Sequence, residues 1–242
     1  MKEIIFKIFN PIPLKNRKMR VWVNQFFSIL IAIIILFYQY LLAGKVVEFD
    51  NVSIYSNQKT NINIDEIKLR LQKHNIEFNR GVDVFLPISE KQYNFWTYYF
   101  FKGTLGLNQL VLNRIFINPN LPKTRKIEDV LLHELAHSYL KQEYGYVKAL
   151  RMPTWKNEGF CEYVSESSSM EKQEGIHYLM NEQKEDSLLL TNSIERRQYE
   201  YFKYRLMFEY LIEKKKMTPK QIIETEIDIK LIESEIKLTV SS

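Results

Sequence analysis

The sequence predicts an α+β fold behind an N-terminal membrane-spanning helix. Three observations carry this. Val21 to Gly44 is a run of 24 residues without a charge. Short β-branched apolar runs fall between residues 46 and 117, as strands do. From about Lys123 onward the apolar residues recur at helical spacing. Strands first and helices afterwards is the α+β order.

Taken from the start, residues 1–20 hold six basic side chains and one acid, a net of +5, while the rest carries 28 of each sign. The basicity therefore belongs to a tail, and the body offers no charge argument for nucleic acid as a partner. Residues 21–44 read as a transmembrane anchor, because about 20 apolar residues suffice to cross a bilayer. Trp22, Tyr38 and Tyr40 fit interfacial belts. Asn24, Gln25 and Gln39 lie near the ends of the run, where polarity costs little. A cleaved signal peptide is the rival reading, but Leu41-Leu42-Ala43-Gly44 is a poor cleavage site. The basic flank places the N-terminus in the cytoplasm and residues 45–242 outside it, at the cell membrane.

In the body, Val46–Ser56 reads as a first strand, residues 64–71 as an amphipathic helix ending near His74, and Val82–Ile88 as a second strand. Tyr93 to Phe101 is densely aromatic and reads as core more readily than as a surface patch. Gly103 and Gly106 mark a loop, and Leu110–Ile117 a further strand. Ile115-Phe116-Ile117 is either a free edge for an extended substrate or an internal strand. A helix opens near Lys123, with Thr124 a candidate cap, and ends at Gly145. Another starts after Pro153 with Thr154 as cap. Ser165 to Ser169 is a polar loop, and helices follow at about 173–184, 194–215 and from Thr218-Pro219.

Chemistry concentrates in two of these helices. His133-Glu134-Leu135-Ala136-His137 places two imidazoles about one turn apart on one face, where they can share a divalent ion such as Zn2+. Glu134, about 100° around the helix, can reach a metal-bound water as a general base without filling a ligand position. The next helix carries Glu158 and Glu162, four apart on one face. A carboxylate from there would complete a three-ligand site. Cys161, one turn from Glu158, would instead close the site as a fourth ligand. Gly159 costs about 1 kcal/mol relative to Ala in a helix interior, which close approach to the first helix would justify.

His133-Glu134-Leu135-Ala136-His137 followed by Trp155-Lys156-Asn157-Glu158-Gly159-Phe160-Cys161-Glu162-Tyr163 resembles the gluzincin zinc metallopeptidases, the thermolysin-like and aminopeptidase-like group. The match covers about thirty residues, with a weaker extension over 201–211. The resemblance implies a small mixed sheet packed on the HExxH helix and a helical subdomain that supplies the glutamate. It implies His133, His137 and Glu158 as zinc ligands, Glu134 as catalytic base, and Glu162 as the carboxylate that orients a ligand histidine. Tyr201 aligns with a tyrosine of the later helix and is the candidate oxyanion stabiliser. Tyr199, Tyr204 and His177 compete with it. Cys161 departs from the small apolar residue usual there. The implied activity is peptide-bond hydrolysis by a membrane-anchored enzyme on a peptide or protein substrate. The alternatives are a non-catalytic tethered binding protein on the same scaffold and a zinc hydrolase with a non-peptide substrate.

Overall fold

The computed structural model describes residues 17–58, 62–97, 104–109, 112–122, 125–167, 170–181 and 193–241. It divides into two units, Met1–Gly44 and Lys45–Ser242. The first contains α1 (Arg17–Leu42). The transmembrane assignment of residues 21–44 is corrected: among the described residues no helix is long and apolar enough to cross a membrane. Amides near the ends of the run weigh against a span more than the sequence reading allowed. Gln25 and Gln39 bound the longest stretch of α1 without charge or amide, Phe26 to Tyr38, which itself contains Ser28. At 1.5 Å per residue those positions span about 20 Å, against a hydrocarbon core of about 30 Å. With the span go the membrane as partner, the cell-membrane location and the cytoplasmic-to-outside topology. Most of the basic tail, residues 1–16, lies outside the described residues.

In the second unit a five-stranded mixed sheet runs in the order β1-β2-β3-β5-β4, and the later helices form a subdomain beside it. The expected first strand is two, β1 (Gly44–Phe49) and β2 (Val52–Ser56). Asp50 and Asn51 turn the chain between them with φ of 40° and 64°. Asp and Asn tolerate the left-handed region better than most residues. Parallel pairing then joins β2 to β3 (Val82–Leu86), with Val52 opposite Val82. β3 pairs parallel with β5 (Arg114–Ile117), Val84 opposite Ile115. β4 (Gly106–Gln109), read as loop from its glycine, pairs antiparallel with β5 and forms the sheet edge. Ile115-Phe116-Ile117 is thus internal, and its reading as a free edge is corrected.

Helices cover this sheet. α2 (Ile64–Lys73) is capped by Asn63, whose Oδ1 accepts from the Glu66 N–H, and ends at His74. It buries Ile67 and Leu71. Arg70 ties it to the interior, donating to Asp129 Oδ1 and to the Ser165 carbonyl, each at 2.8 Å. α3 (Glu90–Trp96) buries Tyr93 and Trp96 while Phe95 is exposed. The remaining aromatics from Tyr98 to Phe101 lie outside the described residues.

α4 (Ile127–Tyr144) is the long helix, packed on β4 and β5. Its cap is Lys126; Thr124 is not among the described residues. Gly145, at φ 78°, separates it from α5 (Tyr146–Arg151), a helix the sequence did not announce. α6 (Thr154–Ser165) is capped by Pro153, so Thr154 is its first residue and not its cap. α7 (Lys172–Asn181), α8 (Ser193–Glu213), α9 (Pro219–Glu224) and α10 (Ile229–Ser241) follow. At α9, Thr218 and Gln221 form a reciprocal capping box.

α6 is the hub of this subdomain, packed on α4 at one side and α8 at the other. Gly159 serves the second contact, not the first. A Cβ there would lie 2.8 Å from the Tyr204 carbonyl oxygen and 3.4 Å from the Phe208 ring. The close approach is therefore between α6 and α8. Gly159→Ala gains about 1 kcal/mol of helix propensity but overpacks this contact, which costs typically 1–3 kcal/mol. The expected outcome is net destabilisation of up to about 2 kcal/mol, read as a lower urea midpoint with an unchanged slope.

Candidate metal centre

α4 presents His133, Glu134 and His137; α6 presents Asn157, Glu158, Cys161 and Glu162. The helical repeat sets both groups facing one another across the helix contact. The imidazole rings of His133 and His137 stand 4.9 Å apart, nearly perpendicular. Glu158 Oε2 lies 3.3 Å from His133 Nε2 and 3.6 Å from His137 Nε2. That oxygen is buried and accepts no well-formed hydrogen bond.

The other ring nitrogens are occupied. His133 Nδ1 is 3.2 Å from Glu162 Oε1, and Arg125 Nη2 is 3.6 Å from the same oxygen. His137 Nδ1 is 2.8 Å from Asn157 Oδ1. Each imidazole is thus fixed from behind by an acceptor, which favours the tautomer protonated at Nδ1 and leaves Nε2 available to an ion. Asn157 was missed from the sequence. Its signal was present, since it stands four residues before Cys161 on the face that meets His137.

Cys161 also touches this ring. Its sulfur is buried, 3.2 Å from His137 Nδ1. His133, His137 and Cys161 together form a group whose potential ligand atoms all lie within 4.8 Å, able to hold a metal ion. Burial pushes the Cys161 thiol well above its ordinary value, reinforced by Glu158.

Glu134 is buried on the same face of the cleft, and burial raises its carboxyl above the usual range. It stands against β4, where a Cβ on Gly106 would come within 2.5 Å of Glu134 Oε1. Two cavities meet at this pair, of about 290 Å³ and 310 Å³, and Gly106 and Glu134 line both. Tyr201 lines the larger, together with Arg125, His133, Glu162 and Arg197. Its ring lies nearly parallel to that of His133 at 6.2 Å, and burial drives its hydroxyl far above the ordinary value for tyrosine. Of its competitors, Tyr199 belongs to the buried core. Tyr204 contributes its carbonyl to the Gly159 contact, and His177 packs on Tyr178 along α7.

No family model matches the chain, and no curated protein matches it. The gluzincin resemblance is corrected on this ground. His133, His137 and Cys161 form a group able to hold a metal, so a thiol that the resemblance does not include stands among the candidate donors, beside Glu158. A sulfur donor would make a different ligand set from two imidazoles and one carboxylate. The zinc metallopeptidase assignment rested on the resemblance and falls with it. So do peptide-bond hydrolysis and the peptide or protein substrate as partner, along with the readings as a tethered scaffold of that family or a zinc hydrolase of another substrate.

Electrostatics make a pH-dependent prediction for the metal-free chain. Burial disfavours the charged form of His133, but Glu158 and Glu162 outweigh it and push the imidazole up to about 10. Burial likewise opposes the Glu158 carboxylate, yet His137 and His133 hold it well below the usual range. A histidine raised in the folded state contributes stability that is complete below its unfolded value of about 6.5 and is lost as pH rises through the folded value. The metal-free protein should therefore lose stability between about pH 6.5 and 10. Urea midpoints measured across that window should fall in the parent chain and flatten in His133→Gln.

Proposed function

We propose that this chain is a metal-binding protein in which one zinc ion joins α4 to α6. His133 and His137 supply two donors through Nε2, and Glu158 Oε2 supplies the third. The observation that carries this reading is the placement of that one buried carboxylate oxygen against both Nε2 atoms. Distances of 3.3 and 3.6 Å are what two ligands of a tetrahedral zinc would keep, since each ligand bond is about 2.0–2.2 Å long. Imidazole and carboxylate together suit zinc.

Cys161 and Glu158 approach His137 from opposite nitrogens, and one imidazole gives only one nitrogen to a given ion. Nδ1 of His137 is engaged by Asn157, which supports Nε2 as the ligand atom and Glu158 as the third donor. The buried, protonated thiol then packs behind the ring. Glu162 and Asn157 set the two ring orientations, and Arg125 in turn holds Glu162. Glu134 and Tyr201 line the cleft beside the ion, where they contact whatever enters it.

Bound zinc would replace the proton that His133 otherwise holds between the two glutamates. It would thereby convert a buried imidazolium–carboxylate pair into a helix-to-helix crosslink. The expected result is one zinc per chain after exhaustive dialysis and a higher unfolding midpoint for the loaded protein. His133→Ala and His137→Ala should lose the ion. Glu162→Ala should weaken it about 10–100-fold. Glu158→Gln should weaken it far more than Cys161→Ser. Cobalt exchange supplies the check on the third donor, because a thiolate–cobalt charge-transfer band would place Cys161 there instead. Unchanged zinc in His133→Ala would overturn the proposal.

A further inference from the structure

The smaller cavity holds a cation that the zinc site does not use. Lys141 follows His137 by four residues and continues the same face of α4 for one more turn. Its side chain lines the cavity with Asn108 and Asn157. Among the described residues its ammonium forms no ion pair, and its one hydrogen bond goes to the neutral Asn108 Oδ1. Asn108 is itself held rigidly. Its Nδ2 donates to the Glu134 carbonyl and to Ser138 Oγ, each at 2.7 Å. The amide oxygen thereby fixes where the ammonium sits. An ammonium has three donors, so two remain.

Burial disfavours the charge of Lys141 and brings its amine down to about 8, with Glu134 acting in the opposite direction. A lysine kept half-buried without a carboxylate partner is costly for a fold that needs it only as packing. Leu107, Leu140, Ala149 and Leu150 form the apolar part of the wall, and Gly106, Glu134 and His137 complete it beside the metal centre. Leu150 is half exposed and stands at the open side. Alongside the Glu134 carboxyl, one cation with unused donors, a short apolar wall and about 290 Å³ of space suit a small amphipathic anion.

We propose that this cavity binds a short aliphatic monocarboxylate, its carboxylate on Lys141 Nζ and its hydrocarbon against Leu107, Leu140 and Leu150. The single cation, with the Glu134 carboxyl in the same cavity, disfavours dianions. The site goes beyond the zinc reading and does not depend on it, because Lys141 and Asn108 are in place without an ion.

The test is calorimetric titration of the full chain with hexanoate, in zinc-free and zinc-loaded forms, with hexanamide as the neutral control. Hexanoate should bind both forms, and hexanamide about 10-fold more weakly or less, since a charge-assisted contact is lost. Lys141→Met should weaken hexanoate about 10-fold or more while leaving zinc content unchanged, and Lys141→Arg should retain binding. Leu150→Trp, at the exposed mouth, should weaken it without touching the ammonium. Equal affinity for hexanoate and hexanamide, undiminished binding in Lys141→Met, or no binding to either form would overturn the proposal. Binding confined to the zinc-loaded form and indifferent to Lys141→Met would place the carboxylate on the ion. That outcome overturns the Lys141 site and leaves the zinc reading standing.

Discussion

The contact between α4 and α6 is the constraint on which the rest of the body depends. It buries two imidazoles and two carboxylates, four groups that a protein interior accepts only if each finds a partner. The partners are one another: Glu158 with both Nε2 atoms, Glu162 with His133 Nδ1 and Asn157 with His137 Nδ1. Removing any one leaves another buried and uncompensated, which is how buried ion pairs become indispensable without being intrinsically stabilising. The surrounding apolar core fixes the helix separation that makes the pairing possible. Leu131, Leu132 and Leu135 of α4 are wholly buried, and so is Phe208 of α8 across Gly159.

The same helix pair is tied to α2 by a second polar chain. Arg70 of α2 reaches Asp129 at the start of α4 and the carbonyl of Ser165 at the end of α6. One guanidinium thus holds the N-terminus of one site helix against the C-terminus of the other. Both bonds leave Nη1, which carries two hydrogens, while Nη2 donates to Glu66 within α2. Glu128, the neighbouring acid, accepts from the backbone N–H of Asn63 and so anchors the cap of α2. The acids in the first turn of α4, which a helix-dipole argument alone would explain, are in fact tertiary connectors.

Much of this was legible in the sequence, for reasons that differ by residue. His133, His137, Glu158 and Glu162 are spaced by four within their helices, and a fixed helical repeat turns such spacing directly into a shared face. The structure brings all four together. β3, β5 and the helix start at Thr218-Pro219 were legible because apolar runs and cap chemistry are local signals. β4 was not, because Gly106 reads as loop. Its role there is tertiary, to leave room for Glu134. The partner of Gly159 was likewise invisible, since nothing local says which neighbouring helix a glycine admits. The uncharged run near the N-terminus misled for a related reason: absence of charge is not continuous apolarity, and Gln25 and Gln39 shorten the stretch that counts.

Gly106 and Glu134 also explain why the cleft has two compartments instead of one. The carboxylate occupies the space that a β-carbon on the edge strand would fill, so strand and helix approach closely at a single point. On one side of that point lie Tyr201, Arg125 and Arg197; on the other lie Lys141 and Asn108. His133 faces the first compartment and His137 the second. An ion shared by the two histidines would therefore stand at the boundary, adjoining both cavities. Each compartment has its own cationic side chains, and the ion's charge would add to both. With an ion there, anionic groups would be favoured on either side of it, and the apolar wall of Leu107, Leu140 and Leu150 would set one compartment apart from the other in what it accepts.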